Sequence, residues 1–127
     1  MTASPGAESR VAPNVKAKRA YSPAEASDGY RVLVDRLWPR GISRERAHLD
    51  EWARDLAPSD ELRRWFGHDS KRFEEFRTRY REELTAHHEH LDALRRRARR
   101  APLTLVYGAR DTEHNDAVVL EEVIRDG

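Results

Sequence analysis

Pro102-Leu103-Thr104-Leu105-Val106-Tyr107-Gly108 is the stretch whose reading decides the fold. Between a proline and a glycine lie five residues of which only Thr104 is conventionally polar. A strand with one wet face alternates apolar and polar residues. A near-continuous apolar run is what a strand needs when both faces are buried, the usual condition in a parallel sheet. Parallel neighbours in turn need crossover connections of a dozen residues or more, usually helical.

The flanking sequence supplies them. From Lys71 to about Arg99, Phe73, Phe76, Tyr80, Leu84, Leu91, Leu94 and Ala98 recur at intervals of three, four and seven. This spacing predicts one long amphipathic helix, bent near His87-His88. Glu75, Arg79 and Glu83 predict an i,i+4 ladder on another face of it. Downstream, Gly108 to Asp111 reads as a turn, with Asp111 or Thr112 capping a last helix over Ala117–Ile124 that buries Val118, Leu120, Val123 and Ile124.

Further upstream, Tyr30-Arg31-Val32-Leu33-Val34-Asp35 reads as a strand with Tyr30, Val32 and Val34 on one face and Leu33 on the other. Val15–Ala20 is a second strand whose Lys16 and Lys18 suit a sheet edge. Ser22-Pro23-Ala24-Glu25 predicts a capping box and a single helical turn. Ser43 predicts a turn of helix over Arg44–Ala47. Leu49–Leu56 reads as strand or extended segment, with helix the alternative. Ser59-Asp60-Glu61 opens a short helix that ends near Phe66-Gly67 and buries Leu62, Trp65 and Phe66, and Asp69 or Ser70 caps the next.

Strand, long helix, buried strand, helix is an α/β order. The expectation is one small domain over residues 14–127. It has a partly parallel sheet with helices packed on it, a Rossmann-like three-layer arrangement, and the long helix between the early strands and the last buried one. Residues 1–13, mostly Ala, Ser, Gly, Pro and Glu, are expected to form a disordered tail.

Composition narrows the class. The 127 residues are 38% hydrophobic and 37% charged, enough apolar material for a core without a staple. No run of 18 apolar residues exists to span a membrane, and the first 30 residues hold no apolar signal region, so a soluble cytoplasmic protein is expected. The absence of Cys removes disulfides, thiolate catalysis and Cys-ligated zinc. With 24 basic and 23 acidic residues, bulk charge does not recommend nucleic acid as a partner.

In open α/β sheets, ligands bind outside the carboxyl ends of the strands. One such end carries Asp35, Arg36, Trp38 and Arg40. The other carries Tyr107, Arg110 and Asp111, with Thr112, His114 and Asn115 at a helix start. Guanidinium forks and free backbone N–H groups point to a small anionic ligand: a nucleotide, phosphate or carboxylate. In that reading Arg36, Arg40 and Arg63 clamp the anion. Arg110, Ser59 and Asn115 add polar contacts, Trp38 forms an apolar wall, and Asp35, Asp111 and Tyr107 are the candidate acid/base groups. The competing reading has Asp35 and Arg36 pairing internally while Trp38-Pro39 covers the core. Ser59 also stands where an N-cap belongs, with no Gly-x-Ser-x-Gly elbow around it.

Other clusters read more plainly. His87 and His90 share a helix face with Glu83, but without a His-Glu-x-x-His pattern they read as a solvated face, so no metal site is expected. Arg95-Arg96-Arg97-Ala98-Arg99-Arg100 complements a helix C-terminus and supplies the alternative function, a nucleic-acid or protein-interaction module. No aromatics interleave with it to stack bases. Trp38 and Trp65 are the candidate anchors for a protein partner. The residues name no reaction, cofactor or oligomeric state.

Several of these segments are distinctive together. Ser27 to Gly41, with its Asp35-Arg36-Leu37-Trp38-Pro39-Arg40-Gly41 run, is followed by Leu49-Asp50-Glu51-Trp52 and by Ala57-Pro58-Ser59 with Leu62-Arg63. Pro102 to Asp111 and the Asn115–Leu120 helix start complete the set. In these the chain resembles the YeaO-like branch of the domain-of-unknown-function 488 family, over about residues 15–125. The resemblance implies an α/β fold and no established activity. Other branches place a Cys in the last strand and a Cys-His-Arg triplet at the following helix. Tyr107 and Asn115-Asp116 occupy those regions here, so chemistry needing that Cys does not carry over. YeaO-like sequences often read Asn-His-Ala where this chain has Asn115-Asp116-Ala117, which leaves a histidine's role at that position unfilled.

Overall fold

The computed structural model describes residues 11–127, so the expected tail lies outside the described residues as far as Arg10. Strands β1 (Val15–Arg19), β2 (Tyr30–Leu33), β3 (Glu51–Trp52) and β4 (Leu103–Tyr107) form one sheet in the order β1-β4-β2-β3. Every ladder in it is parallel, not only part of them. The apolar run therefore lies inside the sheet, and all five of its residues are buried. The Thr104 hydroxyl donates to the Asp28 carbonyl at 2.8 Å. Unpartnered polar groups are costly to bury, and this bond is what lets a Thr sit there.

The alternation read from β2 sorts two cores. Val32 and Val34 join Leu103, Leu105, Phe66, Phe76, Tyr80 and Leu94 on one face. Leu33 and Val106 join Ala20, Ile42 and Ala47 on the other. The first face is covered by α2 (Asp60–Phe66), α3 (Phe73–Leu84), α4 (His88–Arg100) and α5 (Asp116–Asp126). The second is covered by the short α1 (Arg44–Ala47) together with Trp38, Leu49 and Trp52. The result is an α/β sandwich of three layers, one of them thin.

Local differences from the sequence reading have local causes. The long helix is two helices separated by a 3-10 turn at Thr85–His87. Between Leu84 and Leu91 the apolar stripe buries nothing, so no packing holds one axis through that stretch. The early capping box is formed by Glu25 and Asp28 around the turn Ala26–Asp28, not by Ser22 and Glu25. Asp28 is fixed there by the sheet: its carboxylate is fully buried against Arg31 (2.6 Å), Lys18 (3.1 Å) and Lys16 (3.1 Å). Residues 49–56 hold the short strand β3 and a 3-10 turn at Arg54–Leu56, not a helix.

Three further assignments shift. The last helix is capped by Asn115, whose side chain accepts from Val118 N at 2.9 Å, rather than by Asp111 or Thr112. It buries Ala117, Val119, Leu120 and Ile124, while Val118 and Val123 are half-buried. Arg79 pairs with Glu75, but Glu83 leaves that ladder and accepts from the backbone and hydroxyl of Ser59 at 2.8 and 2.6 Å. That contact ties α3 to the start of α2.

One glycine sets the entry to β2. Gly29 has φ +64, and a Cβ there would lie 2.1 Å from the Pro102 carbonyl oxygen. The close approach lets Tyr30 N bond that oxygen at 3.0 Å, starting the β2–β4 ladder.

Candidate functional site

The β2–β4 boundary is where the chain's exits diverge. From β4 the chain enters α5 on the larger core, whereas from β2 it enters α1 on the opposite face. Adjacent parallel strands whose connections leave to opposite faces open a crevice at their carboxyl ends. A cavity of about 260 Å³ occupies that place.

Its walls are built from four segments. The loop after β2 contributes Asp35, Arg36, Leu37, Trp38, Pro39 and Arg40. Residues around α2 contribute Pro58, Arg63, Phe66 and His68. Gly108 and Ala109 follow β4, and Asn115 and Asp116 open α5, with Tyr21 and Phe76 completing the lining. Of the ten site residues expected from sequence, six line the cavity: Asp35, Arg36, Trp38, Arg40, Arg63 and Asn115.

The other four lie elsewhere. Ser59 caps α2, accepting from Leu62 N, and its hydroxyl is engaged by Glu83. The Tyr107 side chain belongs to the larger core, where burial pushes its phenol up. Arg110 is exposed outside the cavity. Asp111 closes its own turn, accepting from Glu113 N and His114 N and pairing with the His114 ring at 2.9 Å. Those backbone bonds, Glu113's foremost, hold its carboxyl below the usual range.

The partner that sequence reasoning did not single out is Asp116. Its carboxyl stands in hydrogen-bonding contact with that of Asp35. An acid in the first turn of a helix is ordinarily favoured as the anion. Here burial, and then the Asp35 charge, push Asp116 well above the usual carboxylate range, overriding the backbone N–H groups that favour ionisation. Asp35 is positioned from the other side, accepting from Gly108 N at 2.8 Å. The floor of the cavity is thus a pair of carboxyl groups in contact, Asp116 shifted toward its protonated form.

The rim is cationic. Arg36 Nε donates to the Pro58 carbonyl at 3.3 Å and lies 3.5 Å from Asp60, and Arg63 reaches the same Asp60 oxygen at 3.3 Å. The Arg63 Nε is a buried donor with no hydrogen-bond partner among the described residues. Arg40 is exposed, and among the described residues only its carbonyl is engaged, by the Tyr21 hydroxyl at 2.9 Å. Trp38 is fixed by a bond from its indole N–H to the Ile42 carbonyl at 2.6 Å and by edge contact with Trp52, centroids 5.4 Å apart. Leu37, 60% exposed, stands at the mouth.

Elsewhere the alternatives lose groups to internal contacts. Arg95 donates to the Ile124 and Val123 carbonyls, capping α5, while Arg97 lies over the Tyr30 ring at 3.8 Å and Arg99 donates to the Val11 carbonyl. Trp65 is half-buried beneath Arg72 and Arg79. His90 places its two ring nitrogens on Glu51 (2.5 Å) and Asp55 (2.7 Å). Two acceptors demand two N–H donors; burial, the strongest single effect, lowers its pKa, but those bonds together raise it. No helix among the described residues is long and apolar enough to cross a membrane.

Comparison with known proteins adds the following. Residues 14–127 match the family model described as the inactive DUF488-N3 subclade. The chain is 46% identical over 112 residues to the uncharacterised protein YeaO of Escherichia coli, covering 88% of this chain and 97% of that one. It is 40% identical over 112 residues to the uncharacterised Mycobacterium tuberculosis protein Rv3073c, covering 87% and 92%. No solved structure matches it.

Proposed function

Because the chain belongs to the DUF488 family, within the subclade described as inactive, we propose that it binds a small anionic molecule in the β2–β4 cavity and does not turn it over. The observation that carries this reading is Arg63 Nε. Buried polar atoms in folded proteins almost always find a partner, and one without a partner calls for an explanation. An anionic oxygen in the cavity supplies one, with Arg36 and Arg40 beside it to add charge-assisted bonds. The subclade description and the absence of Cys both favour binding over chemistry. The cytoplasm is the compartment this reading assigns, as the Cys-free composition fits it.

A thermal-shift titration with inorganic phosphate, ribose 5-phosphate and citrate tests the reading. A ligand at about 100 times its Kd adds about 2.7 kcal/mol of stability. At about 2.1 cal/mol/K per residue, that raises Tm by roughly 10 °C in a chain this long. The rise should be lost in Arg63→Ala and reduced in Arg40→Ala. No rise with any of the three, or one that both variants leave intact, refutes the proposal.

A further inference from the structure

An anion-only ligand leaves half of the cavity unexplained. Inorganic phosphate or a dicarboxylate would meet the Arg36 and Arg63 guanidiniums at the rim but would leave the Asp35 and Asp116 carboxyl groups on the floor with no donor to accept from. Resting on the reading above, we propose that the occupant is a nucleoside monophosphate, with its base against the Asp35–Asp116 carboxyl pair and its phosphate on Arg36 and Arg63.

Three observations lead there. First, the two polar ends are turned to different segments from consecutive residues: Asp35 accepts from Gly108 N beyond β4, whereas Arg36 reaches Pro58, ahead of α2, and Asp60, its first residue. A base and a phosphate joined through a ribose put an N–H-bearing edge and an anion at opposite ends of one molecule, matching the acidic floor and the cationic rim.

Second, the lining is largely apolar, with the half-buried Trp38 and the exposed Leu37 joined by the buried Phe66 and Phe76. A planar ring can cover such a surface, and a sugar phosphate alone cannot. Third, the floor presents the carboxyl oxygens of Asp35 and Asp116 side by side. Nucleobases display on their edges the N–H groups from which such oxygens accept. The cavity's 260 Å³ falls just under the usual range of about 300–1,000 Å³ for ligand pockets, which favours a mononucleotide over a dinucleotide.

Isothermal titration calorimetry on the full chain decides it, with AMP, GMP, CMP, UMP, ribose 5-phosphate and inorganic phosphate as probes. At least one nucleotide should bind about tenfold or more tighter than ribose 5-phosphate, the factor expected from one hydrogen bond to a charged group. Asp35→Asn should bring the two within about threefold without weakening ribose 5-phosphate, while Arg63→Ala weakens both. Ribose 5-phosphate binding as tightly as every nucleotide would overturn the base seat and leave the anion site standing. Binding of none of the six would overturn both. A base preference that survives both Asp35→Asn and Asp116→Ala also overturns the inference, since the base then sits elsewhere. Should either variant fail to fold, the probe series on the unaltered chain still discriminates.

Discussion

Asp28→Asn is the substitution with the clearest expected cost. Asp28 has no exposed surface and receives three cations, of which Arg31 is itself buried, with 4% of its side chain accessible. Asparagine preserves the shape and still accepts from Glu25 N, but it removes the charge that justifies burying a guanidinium. Arg31 keeps its two bonds to the Ala47 carbonyl and loses its counter-ion. Leaving a buried charge unpaired costs about 3–5 kcal/mol. With about 2.1 cal/mol/K of unfolding entropy per residue, this lowers Tm by roughly 10–20 °C. Differential scanning calorimetry near neutral pH measures it directly.

The pH dependence gives a second readout. The backbone bond from Glu25 and the cations hold Asp28 well below the ordinary carboxylate range, against the burial that would raise it and that has the largest single effect. A depressed folded pKa contributes stability above the unfolded pKa of about 3.9 and loses it as pH falls through the folded value. The gap between the unaltered protein and Asp28→Asn should therefore narrow below pH 4. Adding Arg31→Met to Asp28→Asn should recover part of the loss, because the stranded charge is then gone. A Tm change under about 3 °C, or a gap that does not shrink in acid, refutes the reasoning.

Other outcomes follow from single contacts. Asp116→Asn should raise stability at pH 7–8 and leave it unchanged near pH 4: burial and Asp35 raise the folded pKa, so the native state alone carries a proton in between and loses stability as pH rises. Equal stability of the two proteins in urea at pH 8 would contradict the carboxyl pair. His90→Gln should remove about 1 kcal/mol or less at pH 5.5 and nothing at pH 9. A raised histidine pKa contributes stability below the unfolded value of about 6.5 that is lost as pH climbs through the folded one, and partial exposure screens the pair. A loss of the same size at both pH values would contradict this. Gly29→Ala combines a positive φ with a Cβ 2.1 Å from backbone, so a cost above about 3 kcal/mol is expected by chemical denaturation. A cost under 1 kcal/mol would show that the Pro102 approach is not fixed.

Periodicity is a local property, and what rests on it was legible along the chain. The alternation of Val32, Leu33 and Val34 separated the two cores, the apolar run Leu103–Tyr107 marked the interior strand, and the lysines of β1 marked an edge. Caps were less legible. Asp111, Thr112 and Asn115 are all chemically suited to start α5, and the choice fell to the tertiary context that gave Asp111 to His114 and left Asn115 to accept from Val118 N.

The cavity shows the same division more sharply. Arg36, Trp38 and Arg40, which line it, follow the end of β2, a position that can be read in one dimension, whereas Arg63 comes to it from within α2. Asp116 was not legible, since an acid at a helix start is the commonest of signals and nothing local distinguishes it from a solvated one. Only the insertion of β4 between β1 and β2 brings the start of α5 against the end of β2, and only then is one of two ordinary aspartates pushed above the usual carboxylate range. By itself the sequence determined which residues want burial and which segments end in charge, because those depend on side chains a few positions apart. The pairing of Asp35 with Asp116, the orphaned donor on Arg63 and the cavity between them were decided by strand order, which is a property of the whole chain.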